Sequence, residues 1–77
     1  MKIDLTGSYF VENITFFRQK YALSRSALAR LVGMDSWHLE LISKGKRPPV
    51  FTRLQLHRFC MVFDLIYEEL IHKDLTK

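Results

Sequence analysis

The stretch from Leu23 to Pro49 constrains the fold most. Its first half, Leu23-Ser24-Arg25-Ser26-Ala27-Leu28-Ala29-Arg30-Leu31-Val32-Gly33-Met34-Asp35, sets two helix starts and one tight reversal within a few residues. Ser24 stands just before an apolar-periodic run, Gly33 interrupts it, and Asp35 opens a second run. Each start therefore has a short side-chain oxygen able to accept a backbone N–H that the first helical turn leaves without a partner. Gly33 falls where a left-handed residue lets the chain reverse. The pattern predicts a helix-turn-helix, a unit whose second helix stands out as a rod narrow enough for the major groove of DNA.

A chain of 77 residues has room for one domain over residues 1–77, with one small core between roughly residues 10 and 71. That length suits a binding module better than a catalytic domain. The 48% apolar fraction is ordinary for a globular chain, and three Gly with two Pro exclude a low-complexity segment. No apolar run nears the roughly 20 residues that span a bilayer, and Met1-Lys2-Ile3-Asp4-Leu5 lacks the apolar centre of a signal peptide. The expectation is a soluble, cytoplasmic protein without membrane association. Cys60, the single cysteine, leaves no internal disulfide and agrees with a reducing compartment.

Helical spacing runs through the whole chain, and no strand alternation exceeds a few residues. Ser8 is placed to cap a first helix in which Phe10, Ile14, Phe17 and Tyr21 recur on one face, widened by Val11. A second helix over about Arg25 to Val32 turns Leu28, Ala29 and Val32 inward, and a third over about Ser36 to Ser43 has only Leu39 and Ile42 for the core. Lys44-Gly45 ends the third with a cation in its last turn and a glycine beyond. After Pro48-Pro49, Thr52 and Gln55 make a capping box for a fourth helix with Leu56, Phe59, Cys60 and Phe63 on its inner face. A short fifth, near Tyr67 to Lys73, adds Leu70 and Ile71. The fold expected is all-α, a compact five-helix bundle.

Taken in order, Glu12-Asn13-Ile14, Phe17-Arg18, Leu23-Ser24-Arg25, Leu28-Ala29, Val32-Gly33-Met34, Leu39, Ile42, Gly45-Lys46-Arg47, Pro49, Leu56, Phe59-Cys60, Phe63, Leu65 and Glu69-Leu70 resemble the lambda-repressor/Cro-type helix-turn-helix domain, the XRE family. The resemblance covers nearly the whole chain. It implies a lambda-repressor-like bundle and a transcription regulator, typically a repressor, that binds a palindromic operator as a dimer. It puts Ser36, Trp37, His38, Glu40 and Leu41 toward the bases, with Lys44 at the phosphate edge. The chain departs from the pattern at Arg25, where the family usually has Gln bracing the recognition helix, and in two extra residues around Pro48-Val50-Phe51. Arg53 stands at a usually apolar place, which Val50 or Phe51 would fill instead.

Charge supports a nucleic-acid partner. Residues 44 to 58 hold Lys44, Lys46, Arg47, Arg53 and Arg58 and no acid, whereas residues 59 to 77 hold Lys73 and Lys77 against Asp64, Glu68, Glu69 and Asp74. A basic block just after the recognition helix is suited to neutralise phosphates, and the expected phosphate contacts are Ser24, Arg25, Lys44, Lys46, Arg47 and Arg53. Among the base-facing residues Glu40 can accept from a cytosine amino group, and Trp37 or Leu41 can press on thymine methyls; the alternative is that Trp37 folds back onto the core and Leu41 pads a neighbouring helix. A second function follows from Phe16, Leu31, Trp37 and Leu41: exposed together, they would make an apolar patch for a protein partner, as in an antitoxin or accessory factor. A homodimer is expected through the C-terminal helices around Phe63, Tyr67 and Ile71. No nucleophile context or glycine-rich phosphate loop argues for an enzyme, and no cofactor is expected. His57 and Cys60 have the i, i+3 spacing of two metal ligands, short of the three or four that a site needs, so Cys60 reads as a core thiol.

Overall fold

The computed structural model describes residues 2–77. Its elements are β1 (Lys2–Asp4), α1 (Phe10–Lys20), α2 (Arg25–Val32), α3 (Ser36–Ser43), β2 (Val50–Thr52), α4 (Arg53–Phe63) and α5 (Tyr67–His72). The chain is thus mostly helical, and a small two-stranded sheet corrects the all-α expectation. β1 and β2 pair antiparallel in the register Lys2↔Thr52, Ile3↔Phe51 and Asp4↔Val50. Leu5 extends the pairing by donating its N–H to Pro49 O at 2.9 Å. The two prolines that bar a helix leave this segment extended, and the pairing satisfies its backbone groups. Three-residue strands carry too little period-2 signal to read from sequence.

Four helices end alike, with a left-handed residue whose successor closes a six-residue loop onto the last turn. At α2 the N–H of Met34 reaches Ala29 O; at α3 Lys46 reaches Leu41 O; at α4 Leu65 reaches Cys60 O; at α1 Leu23 reaches Arg18 O. Gly33 (φ 78°) and Gly45 (φ 74°) supply the conformation without strain, but Asp64 (φ 54°) and Ala22 (φ 55°) adopt it with a Cβ in place. The helix starts are mixed. Ser24 accepts from Ala27 N at 3.0 Å, and Thr52 and Gln55 form both halves of the expected capping box. Asp35 has the extended backbone of an N-cap, yet its solvent-facing carboxylate bonds no N–H of the first turn. Ser8 lies one residue before the cap position held by Tyr9; its hydroxyl still accepts the Phe10 N–H at 3.2 Å.

The core gathers from all five helices and β2. Phe10, Phe51 and Phe59 pack as three mutually tilted or edge-on rings with centroids 5.1, 5.2 and 5.4 Å apart, each pair adding about 0.5–1.5 kcal/mol beyond its buried area. Of the two apolar residues beside the loop, Phe51 is buried in the core and Val50 is half-buried. Leu28, Ala29, Val32, Leu39 and Ile42 are buried as expected, and so are Leu56, Phe59, Phe63, Leu70 and Ile71. Tyr21 corrects the α1 stripe: at 48% exposed it lies past the helix end and covers Phe63 from outside, ring centroids 6.1 Å apart.

One buried polar side chain has no apolar-pattern signal at all. Asn13 is fully enclosed, donates from Nδ2 to Leu70 O (2.8 Å) and Lys73 O (2.7 Å), and accepts from Leu75 N at 3.0 Å. Its amide satisfies the carbonyl end of α5 and fastens the C-terminal turn to α1, so its burial leaves no polar atom of the side chain unpaired. At both ends of the chain a carboxylate organises a turn: the Thr6 hydroxyl and N–H hold Asp4 below the usual carboxylate range, and Thr76 does the same for Asp74.

Candidate functional site

α2 and α3 cross through Leu28, Ala29, Val32, Leu39 and Ile42, which leaves the opposite side of α3 free. Ser36 and Leu41 are half-buried along its edges, His38 is half-buried beside Trp37, and Trp37 itself is 53% exposed. The alternative in which Trp37 folds into the core is therefore excluded. Arg47 arches back from the loop and lays its guanidinium over the indole, 4.8 Å from the ring centroid. The contact ties the basic loop to the start of α3 and holds the indole outward.

Glu40 lies between two cations. Its Oε1 is 3.6 Å from Arg25 Nη1 and 3.4 Å from Lys44 Nζ, one helical turn further along α3. Arg25 thus links the first residue of α2 to the middle of α3, spanning the two helices where the resemblance expects a Gln brace. Its Nε is enclosed without a hydrogen-bond partner, so the side chain is held by packing as well as charge. At this exposure the pairs contribute only a few tenths of a kcal/mol each. Their larger consequence is electrostatic: a carboxylate that would repel phosphates is already neutralised by its neighbours.

The expected phosphate set divides. Arg25, Lys44 and Arg47 contact side chains of α3, Lys46 follows its C-terminal end with its N–H donating to Leu41 O, and Ser24 stands at the N-cap of α2 with its hydroxyl committed to Ala27 N. Arg53 does not join them. As the first residue of α4 it lines a separate groove with Ile3, Leu56, His57, Cys60 and Tyr67. His57 and Cys60 do face the same groove, where burial pushes the Cys60 thiol up. Arg58 also leaves the basic block, lying against Gly33 with a guanidinium nitrogen 2.7 Å from where a Cβ on that glycine would be.

The apolar and dimer expectations are corrected in part. Phe63 and Ile71 are buried in the core, 2% and 4% exposed, Phe63 beneath the Phe17 and Tyr21 rings and Ile71 on α5, which packs on α1; only Tyr67 of that trio is accessible, at 46%. Three of the four residues of the expected apolar patch have separate neighbours: Phe16 packs edge-on against Phe17, Trp37 meets Arg47, and Leu31 lies with Met61 and Val62 beside α4; Leu41 is half-buried on α3.

Sequence reasoning missed one wall of the site. A cleft of about 740 Å³ opens beside Lys46 and Arg47, and its far side is the N-terminal loop with Thr6, Ser8 and Tyr9, continued by Glu12 in the first turn of α1. The β1–β2 pairing brings this loop there. The alternation of Ile3 and Leu5 with Lys2 and Asp4 was the available signal, too short to weigh alone.

No protein-family model matches the chain, and comparison with curated proteins likewise found no match.

Proposed function

We propose that the protein is a sequence-specific, double-stranded-DNA-binding transcription regulator of the lambda-repressor/Cro type that acts in the cytoplasm as a repressor. The observation that carries this reading is the arrangement around α3: an outward face with Trp37 and Glu40 at its centre, rimmed by Lys44, Lys46 and Arg47, with Glu40 neutralised by Arg25 and Lys44. In the reading, α3 enters the major groove, Glu40 accepts a cytosine N4 amino hydrogen through its remaining carboxylate capacity, and Trp37 presses on a thymine methyl. Lys44, Lys46 and Arg47 neutralise phosphates and set the register. Repression follows by occupancy of promoter DNA, with no catalytic step and no cofactor.

A palindrome reader works as a two-fold pair. With Phe63 and Ile71 in the core, the apolar side chains left for that contact at the start of α5 are Ile66 and Tyr67, 64% and 46% exposed.

The test is selection of retained duplexes from a randomised pool, followed by anisotropy titration at several salt concentrations. The expected outcome is a two-fold symmetric motif bound with steep salt dependence. Replacing Lys46 and Arg47 together by Ala should weaken binding to all duplexes and lower the log–log salt slope by about two. No retained motif, or an unchanged slope in the double variant, contradicts the reading.

A further inference from the structure

α4 has an outer face that the DNA reading does not use. Met61 is 67% exposed and Leu54, two turns earlier on the same side, 58% exposed. Across the α2–α4 crossing Leu31, 51% exposed, lies with Arg58, Met61 and Val62 around a shallow groove. Isolated apolar side chains on a surface need no explanation, but Leu31 and Met61 share one groove and Leu54 continues the same face of α4.

The charges beside them have no partners. α2 and α4 together carry Arg25, Arg30, Arg53 and Arg58 and not one acid. Among the described residues the ion pairs are Arg25–Glu40, Lys44–Glu40 and Lys77–Asp74, so Arg30, Arg53 and Arg58 are in none. Arg58 nevertheless has a defined place, lying across Gly33 where the C-terminal end of α2 offers negative charge. The groove is an apolar floor with the Arg58 guanidinium fixed at its margin.

We propose that this α2–α4 face docks an amphipathic helix with acidic flanks, supplied by a partner protein. Such a helix would seat apolar side chains against Leu31, Leu54 and Met61, and its carboxylates would pair with Arg30 and Arg58. Charge complementarity selects this occupant over a second copy of the chain, because a two-fold contact on the same face would set its cations against one another. The exposed leucines and methionine likewise suit a protein ridge better than a phosphate backbone. The surface is separate from the Trp37–Glu40 face, so one chain can hold DNA and a partner helix at once.

The test uses a labelled synthetic peptide with Leu at i, i+3, i+4 and i+7, Glu on the flanks and Ala elsewhere, titrated against the full chain and followed by anisotropy. A permuted sequence of the same composition is the control. The peptide should bind more tightly than its permutation. Leu31→Ser with Met61→Ser, and separately Arg58→Glu, should weaken it about tenfold or more. These side chains are exposed, so the Leu31/Met61 variant should keep the parent melting temperature, and Arg58→Glu, which sets a carboxylate at the C-terminal end of α2, should lower it only slightly while the chain stays folded, which circular dichroism checks. The Lys46→Ala, Arg47→Ala double variant should bind the peptide as the parent does. Equal binding of the permuted peptide, loss in the Lys46/Arg47 variant, binding to phosphatidylglycerol vesicles in place of the peptide, or a solution dimer disrupted by Met61→Ser would each overturn the proposal.

Discussion

The outer faces of α3 and α4 are built from similar side chains and arranged in opposite ways. On α3 and its adjoining loop most exposed charges are answered from within the chain: Glu40 by Arg25 and Lys44, Arg47 by the Trp37 ring. On α4 and the adjoining α2, Arg58 flanks exposed Leu31 and Met61, Arg30 precedes Leu31 in sequence, and neither helix carries an acid. A face whose groups are pre-positioned loses less side-chain freedom when it meets a rigid partner, as a duplex groove is. A face with unpaired cations and bare apolar side chains draws its complement from the partner. Under the two proposals, the first face suits nucleic acid and the second a protein.

Several substitutions break or sharpen that contrast. The largest effect is expected from Phe51→Ala, since β2 underlies both the loop bearing Lys46 and Arg47 and the start of α4. Removing a ring packed against Phe10 and Phe59 should cost about 3–5 kcal/mol in chemical denaturation and weaken both faces together. Trp37→Ala separates them. With the indole half in solvent, stability should change by less than about 0.5 kcal/mol, whereas discrimination between preferred and substituted duplexes should fall by about 1–3 kcal/mol in competition titrations. Binding of the acidic peptide should not change.

Ala22→Gly is the control that touches neither face. The left-handed conformation costs an L-residue about 1–2 kcal/mol, and the extra freedom of glycine in the unfolded chain returns about 0.4–1 kcal/mol of that. The net expectation is a stabilisation between zero and about 1.6 kcal/mol, read as a raised melting temperature with both binding activities intact. Glu40→Gln has the smallest effect on folding, under about 1 kcal/mol, because both of its ion pairs are exposed. It would leave Arg25 and Lys44 without a partner and make α3 resemble α4 in charge. Affinity for duplexes in general should rise, and the base read at that position should shift from cytosine toward adenine.

What could be read from sequence follows from how local each determinant is. Ser24, Gly33, Thr52 with Gln55, and the apolar positions of α2 and α3 act within one or two turns, and their spacing sufficed to place those helices. Asn13 instead satisfies groups 57 to 62 residues away, and nothing in its neighbourhood marks it as buried. The β1–β2 pairing joins three-residue segments far apart in sequence, Lys2–Asp4 and Val50–Thr52, below the length at which alternation is informative. The candidate site divides along the same line. Its residue types were visible along α3, but the Arg25–Glu40 and Trp37–Arg47 contacts depend on how α2, α3 and the loop meet. Arg53 and Arg58 belonged to the same basic run and were carried elsewhere by the rotation of α4.

The most direct test of the account is amide chemical-shift mapping of the labelled protein on addition of the selected duplex at moderate salt. The account predicts perturbations confined to α3, the start of α2 and residues 44 to 47, with Leu31, Arg58 and Met61 unmoved. Perturbation of the α2–α4 face with α3 silent would contradict it.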